Sequence, residues 1–228
     1  MPDQMKNPDW SRFIKDLFQI AAPYLTARGD VIHSRVSHSY ALILMQHEGG
    51  DKKIVEPAII LHDVGWSTLD PQQIEAAYGV RAEGDEAERL NRKHELEGAS
   101  IARQILQDLD YDQGLIDNIS LIIQRHDSGS QIDCLEEALV KDADKLWRFS
   151  ETGFWDEIKR QGLGRRELHQ YLHERYKSWF FTQTALRLAG EELEERAKEI
   201  ANHGKEHPLA GNNGYKGQGI RKCERVDH

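Results

Sequence analysis

Six residues, His33, His62, Asp63, His94, His126 and Asp144, are of the types that ligate divalent metals, and each falls where a helix should face inward. Imidazole nitrogens and carboxylate oxygens together suit Mn, Fe, Ni or Zn, and without a cysteine close by a structural thiolate zinc site is not expected. Taken singly, each residue has an ordinary explanation. A histidine on an apolar face is usually a hydrogen-bonded core residue, and a helix-terminal aspartate is usually a cap. The set is harder to explain that way, because a buried carboxylate with no partner is very unfavourable. Several carboxylates and imidazoles delivered to one interior imply a compensating cation.

The elements that must deliver them can be read from hydrophobic periodicity, which predicts successive helices and no convincing strand alternation. The expected helices span 8–22, 31–47, 53–63, 85–109, 113–126, 133–149, 151–160, 165–179 and 183–203. Breaks are expected at Gly49-Gly50-Asp51, at 64–72 with Gly65 and Pro71, and at Asp127-Ser128-Gly129-Ser130. Asp30 and Ser130 or Asp133 are candidate N-cap region residues. The segment 53–63 is apolar on several sides, so it belongs in the middle of a bundle, and it ends in the polar pair His62-Asp63.

Residues three, four and seven apart share a helix face. His33 therefore lines up with Val36, Tyr40 and Leu44; His94 with Gly98, Ile101 and Ile105; and His126 with Leu115, Ile119 and Ile122. Asp144 shares a face with Val140 and Trp147. Spacing alone does not separate Asp144 from Asp142.

The ordered set of His33-Ser34-Arg35-Val36, Leu61-His62-Asp63-Val64-Gly65 and Val140-Lys141-Asp142-Ala143-Asp144-Lys145-Leu146 resembles the HD superfamily of metal-dependent phosphohydrolases. The likeness covers roughly 25–150 and implies an all-α bundle of about five core helices, in agreement with the helices read independently. It assigns His33, His62, Asp63 and Asp144 as metal ligands; Asp144 is favoured over Asp142 because the family's aspartate directly precedes a basic and then an apolar residue. Lys145 would then meet a substrate phosphate. His94-Glu95-Leu96-Glu97-Gly98-Ala99 and Ile123-Gln124-Arg125-His126-Asp127 look like the branches that hold two ions, in which Asp63 would bridge and His94 and His126 would complete the second position. The resemblance implies one or two divalent ions (Fe, Mn, Co, Ni or Mg) and hydrolysis of a phosphate ester or anhydride of a small molecule, such as a nucleotide, by metal-activated water, with Asp63 and Lys145 as the catalytic pair. Arg35 and Arg148 read as salt-bridging cations, His38 as structural or an acid–base group, and Asp127 as a helix stop or a residue behind the ligands.

Two other readings remain open at this level. Some HD-like proteins with six ligands are di-iron oxygenases; here Tyr24 is present, but Ala27 stands where one oxygenase branch would want a glutamate. A metal-binding regulatory module without turnover is the other.

The organisation expected is an N-terminal helix over 1–24 packing on the core, an HD domain over 25–150, a helical extension of that domain over 151–204, and an extended tail over 205–228. Trp155, Tyr171, Trp179, Phe180 and Phe181 should pack the extension against the core or a second subunit, which leaves room for a homodimer. His169 and His173 have ligand spacing, but their neighbours describe a solvated face. The formal charge of −9, from 39 acidic and 30 basic residues, argues against long nucleic acid as a partner. A phosphorylated small molecule remains compatible with it. Without a membrane-length apolar run, a secretory-type start or a disulfide framework from Cys134 and Cys223, the expected setting is the cytoplasm.

Overall fold

The structure, a computed structural model, describes residues 7–203 apart from 28, 78, 80, 81 and 130. The chain order is α1 (Asn7–Leu25), α2 (Val31–Glu48), α3 (Lys52–Leu61), a 3-10 turn (Val64–Thr68), α4 (Pro71–Ala77), α5 (Asp85–Asp108), α6 (Gln113–Ile123) and α7 (Leu135–Leu146). A second 3-10 turn (Trp147–Phe149) leads to α8 (Glu151–Gln161), α9 (Arg165–Trp179) and α10 (Gln183–His203). The fold is all-α, with no strand among the described residues. No helix among them is long and apolar enough to cross a membrane.

The centre is α3. Val55, Ala58, Ile59, Ile60 and Leu61 are all fully buried, because α1, α2, α6 and α7 surround this helix. Asp51 caps its start by accepting from the Lys53 amide at 2.9 Å. Pro57 lies inside the helix and has no N–H to give the Lys53 carbonyl. The Tyr111 hydroxyl, at the start of the α6 region, donates to that carbonyl at 2.8 Å, so the gap in the ladder becomes a tie between elements.

Helix boundaries depart from expectation where the chemistry sits. The helix expected over 53–63 ends at Leu61, so His62 and Asp63 occupy the junction between α3 and the 3-10 turn. The interval 64–72, expected as a plain break, contains that turn and the start of α4. Trp66 of the turn, Leu69 just after it, and Ile74 and Ala77 of α4 form a small apolar cluster with Leu90 of α5. Likewise α6 stops at Ile123, three residues before His126, and α7 starts at Leu135 with Cys134 in the N-cap position. Asp30 does stand at the N-cap position of α2, but its side chain makes no capping bond. Ser130 and the tail from Gly204 lie outside the described residues.

Helices α8 to α10 lie against the core, with Trp155, Tyr171, Trp179 and Phe180 packed on it, whereas Phe181 is exposed. The link between α9 and α10 is moored by Asp142 of α7. Its carboxylate accepts from the Phe181 amide at 3.0 Å and from the Thr182 amide and hydroxyl, each at 2.8 Å. Thr182 Oγ1 in turn accepts from the Ala185 amide at 3.2 Å, capping α10.

Candidate metal centre

Four side chains from three parts of the bundle converge beneath α3. His33 Nε2 lies 3.0 Å from His62 Nε2, 3.3 Å from Asp63 Oδ2 and 3.1 Å from Asp144 Oδ1. His62 Nε2 lies 3.3 Å from each of the same two carboxylate oxygens. An ion holding such atoms at about 2.1 Å would separate neighbouring ligands by roughly 3.0–3.4 Å. The atoms of His33, His62 and Asp144 are spaced as a divalent ion would hold them, and Asp63 Oδ2 stands at a similar distance from both imidazoles.

A second group adjoins the first through Asp63. Its other oxygen, Oδ1, lies 3.8 Å from His94 Nε2 and 3.6 Å from His126 Nε2, and those two nitrogens are 3.4 Å apart. Asp127 offers a carboxylate oxygen within 4.8 Å of both histidine nitrogens. Asp63 thus turns one oxygen to each group. All six residues predicted as ligands come together; Asp127, expected as a helix stop or a residue behind the ligands, stands at the rim of the second group.

Neighbours set the orientation of the imidazoles. His62 Nδ1 lies 2.8 Å from the Ile59 carbonyl, and His126 Nδ1 lies 2.8 Å from the Ile123 carbonyl. Each carbonyl requires a proton on Nδ1, which leaves the Nε2 lone pair turned into the site. Both histidines have their backbones in the turn that follows a helix, and the bond reaches back three residues into that helix.

The electrostatics call for positive charge. Burial by itself would lower the His62 pKa, but Asp63 and Asp144 hold it well above the usual imidazole value. Burial would raise Asp144, yet hydrogen bonds with His33 and His62 hold it well below the carboxylate range. A divalent cation supplies the same compensation and would displace the protons.

The turn carrying His126 and Asp127 is held from both sides by charged residues that sequence periodicity did not single out. From α5, the fully buried Glu95 accepts from the Asp127 amide at 2.9 Å, the Ser128 amide at 2.8 Å and the Ser128 hydroxyl at 2.6 Å. From α7, the buried Lys141 donates to the Arg125 carbonyl at 2.5 Å and the Gly129 carbonyl at 2.6 Å. Burial pushes the Lys141 pKa down. A usable signal was present: Lys141 and Glu95 interrupt helix faces that are otherwise buried.

Close approach of the 3-10 turn to α5 brings the two groups together. A β-carbon on Gly65 would stand 1.9 Å from the His94 carbonyl oxygen and 2.6 Å from the Gly98 amide nitrogen. Gly65 therefore lets the chain just after Asp63 lie against the backbone turn that carries His94. Trp66, buried in the same contact, donates from Nε1 to Asp63 Oδ1 at 2.9 Å and stacks on His94 with ring centroids 4.0 Å apart.

The remaining candidates separate clearly. Asp142 points away from the ligands, to the α9–α10 link. Lys145 Nζ donates to the Trp179 carbonyl at 3.0 Å and lies over the Phe181 ring, and burial lowers its pKa. Lys145 nevertheless lines a cleft of about 220 Å³ with Gly79, Asp127, Arg148, Tyr171 and Trp179. Arg148 also pairs with Glu157 at 3.8 Å. Arg35 lies over the Phe18 ring, and His38 meets Glu56 at 2.8 Å, so both serve the packing of α1 and α3. His169 Nε2 is taken by the Leu193 carbonyl at 3.0 Å.

Residues 31–148, more than half of the chain, match the HD domain family model. The chain belongs to the HD domain family. Among solved structures, it is similar to an HD-superfamily hydrolase from Bacillus thuringiensis at 21% identity, covering 86% of this chain and 97% of that one with a TM-score of 0.58. A predicted HD superfamily hydrolase from an uncultured Thermotogales bacterium matches at 18% identity over 84% of this chain and 91% of its own, TM-score 0.57. Bacillus subtilis YpgQ matches at 18% identity over 86% of this chain and 95% of its own, TM-score 0.58. At these identities the likeness establishes a shared fold. No curated protein matches the chain. Within the HD domain, the match spans all six candidate ligand residues, from His33 to Asp144.

Proposed function

We propose that this HD domain protein is a metal-dependent phosphohydrolase acting on a phosphate ester or anhydride of a small molecule, with a nucleotide as the favoured substrate. In this reading His33, His62, Asp63 and Asp144 hold one divalent ion, and His94, His126 and the second oxygen of Asp63 hold another. The observation that carries it is the division of the Asp63 carboxylate, Oδ2 at 3.3 Å from His33 and His62 and Oδ1 at 3.6 Å from His126. The ions would supply positive charge for phosphate oxygens and lower the pKa of a water.

The chain's own residues supply the rest. Asp63 keeps the two positions at fixed separation, and the bonds from Ile59 and Ile123 keep two imidazoles aimed inward. The adjoining cleft joins cations, Lys145 and Arg148, to aromatic rings, Tyr171 and Trp179, with Asp127 on the side of the ligands. Positive groups suit phosphate and flat rings suit a base, so the lining favours a ligand carrying both. Lys145 retains two N–H bonds beyond the one given to Trp179, enough to meet a phosphate oxygen.

The test is metal analysis of anaerobically purified protein, followed by a nucleotide and phosphoester panel with Mn, Fe, Co, Ni and Mg. Close to two equivalents of metal and phosphate release that depends on Asp63 are expected. Full activity in Asp63→Ala would remove the proposed site, and oxygen uptake without phosphate release would move the activity to an oxygenase.

A further inference from the structure

We infer that Trp66 is a positioning residue that holds the Asp63 carboxylate divided between the two ligand groups and so sets the affinity for the second ion. The inference rests on the two-ion reading above and extends it to a residue that is not itself a ligand.

Three observations meet at this side chain. First, the Trp66 indole N–H reaches Asp63 Oδ1 at 2.9 Å, the same oxygen that faces His94 and His126. Second, the indole lies flat on His94, with centroids 4.0 Å apart and planes 13° from parallel. Third, the residue follows Asp63 by three positions in a 3-10 turn, where side chains at that spacing eclipse. The Trp66 amide also bonds back to the Asp63 carbonyl at 3.2 Å, so backbone and side chain hold the same pair together.

A carboxylate can turn about its terminal bond, and a twist would hand both oxygens to one group. The indole N–H opposes that twist by binding Oδ1 and leaving its other lone pair for the second group. Stacking fixes the plane of the His94 ring at the same time. Ordinary packing also accounts for part of the burial, since Trp66 shares an apolar cluster with Leu69, Ile74, Ala77 and Leu90. Packing does not require an N–H, however, and the two roles come apart when the N–H alone is removed.

The experiment is Trp66→Phe, which keeps a ring on His94 and in the apolar cluster but has no donor. Mn2+ is titrated calorimetrically into metal-stripped full-length protein, with thermal melting as the folding control. Wild type is expected to take two equivalents. In Trp66→Phe the first is expected to bind within about threefold of wild type and the second about 10–100-fold more weakly, the scale for losing a partner behind a metal ligand. Equal weakening of both steps, or an unchanged second step, overturns the positioning role while the two-ion reading stands. A wild type that takes one equivalent overturns both. Should Trp66→Phe fail to fold, wild type carries the test through its indole N–H resonance during a Zn2+ titration. A resonance that moves with the second equivalent supports the role, and one unmoved by either overturns it.

Discussion

Substitution of Gly65 by alanine adds a single carbon at the point where the two ligand groups are held together. That carbon would stand 1.9 Å from the His94 carbonyl oxygen, 2.8 Å from the His94 carbonyl carbon and 2.6 Å from the Gly98 nitrogen. All three are backbone atoms, so no side chain can swing aside. Carbon and oxygen settle no closer than about 3.3 Å, which requires the 3-10 turn and α5 to part by more than about 1 Å. Overpacking of this kind costs about 3 kcal/mol, and for a chain of this size each kcal/mol lowers Tm by about 2–4 °C. A fall of about 6–12 °C is therefore expected by thermal melting. His94 already sits 3.8 Å from Asp63 Oδ1, and a further separation would take it out of range of a shared ion. Metal analysis should accordingly show loss of about one equivalent while the position made by His33, His62 and Asp144 is kept. Gly98→Ala is the internal control, because its β-carbon would meet its nearest neighbours at 3.3–3.5 Å. Helix propensity of about 1 kcal/mol in favour of alanine offsets that tighter contact, so Gly98→Ala should melt near wild type. If Gly65→Ala kept its Tm and its full metal content, or if the two variants were equally damaging, the close approach would not be what joins the groups.

Further outcomes follow from the charged residues around the site. Metal-stripped protein should gain about 2.7 kcal/mol when Mn2+ is present at a hundred times its Kd, read as a rise of about 5–10 °C in Tm; no rise would argue against a buried ligand set. Lys141→Met leaves the Arg125 and Gly129 carbonyls without their donor and should cost about 2–4 kcal/mol by urea unfolding, with weaker metal uptake at the position made by His94 and His126. Burial would raise the Glu95 pKa, but His126 and the hydrogen bonds from Ser128 and Asp127 hold it below its ordinary 4.5. A depressed folded pKa gives stability that is complete above pH 4.5 and is lost as pH falls through the folded value. Metal-free Glu95→Gln should thus be less stable than wild type at pH 7, and the gap should narrow as pH drops below 4.5. A constant gap would contradict the assignment.

Nine of the ten α-helices among the described residues were legible because each buries a stripe of apolar residues at a period near 3.6, a property local to a few turns; the seven-residue α4 (Pro71–Ala77) was not, no helix being expected there. The same periodicity turned His33, His94 and Asp144 inward, and the oddity of polar groups on those faces pointed to a cation. The family resemblance was legible too, in the order of His33, His62-Asp63 and Asp144. Other features depended on which elements touch. Asp142 and Asp144 are two residues apart on one helix and periodicity does not separate them; the family resemblance favours Asp144, and the contacts that part them, the α9–α10 link with Asp142 and the histidines with Asp144, are tertiary. His62 and His126 ended up in turns rather than helices, because each helix stops short and the imidazole bonds back to its last carbonyls. Glu95 and Lys141 fasten a turn belonging to neither of their helices, a relation without a sequence period. The division of Asp63 between two groups is the furthest from sequence. Residue types allow a bridge, but its geometry needs Gly65 to admit α5, a contact between elements distant in the chain, and Trp66 to hold one oxygen from within the same 3-10 turn while it stacks on His94.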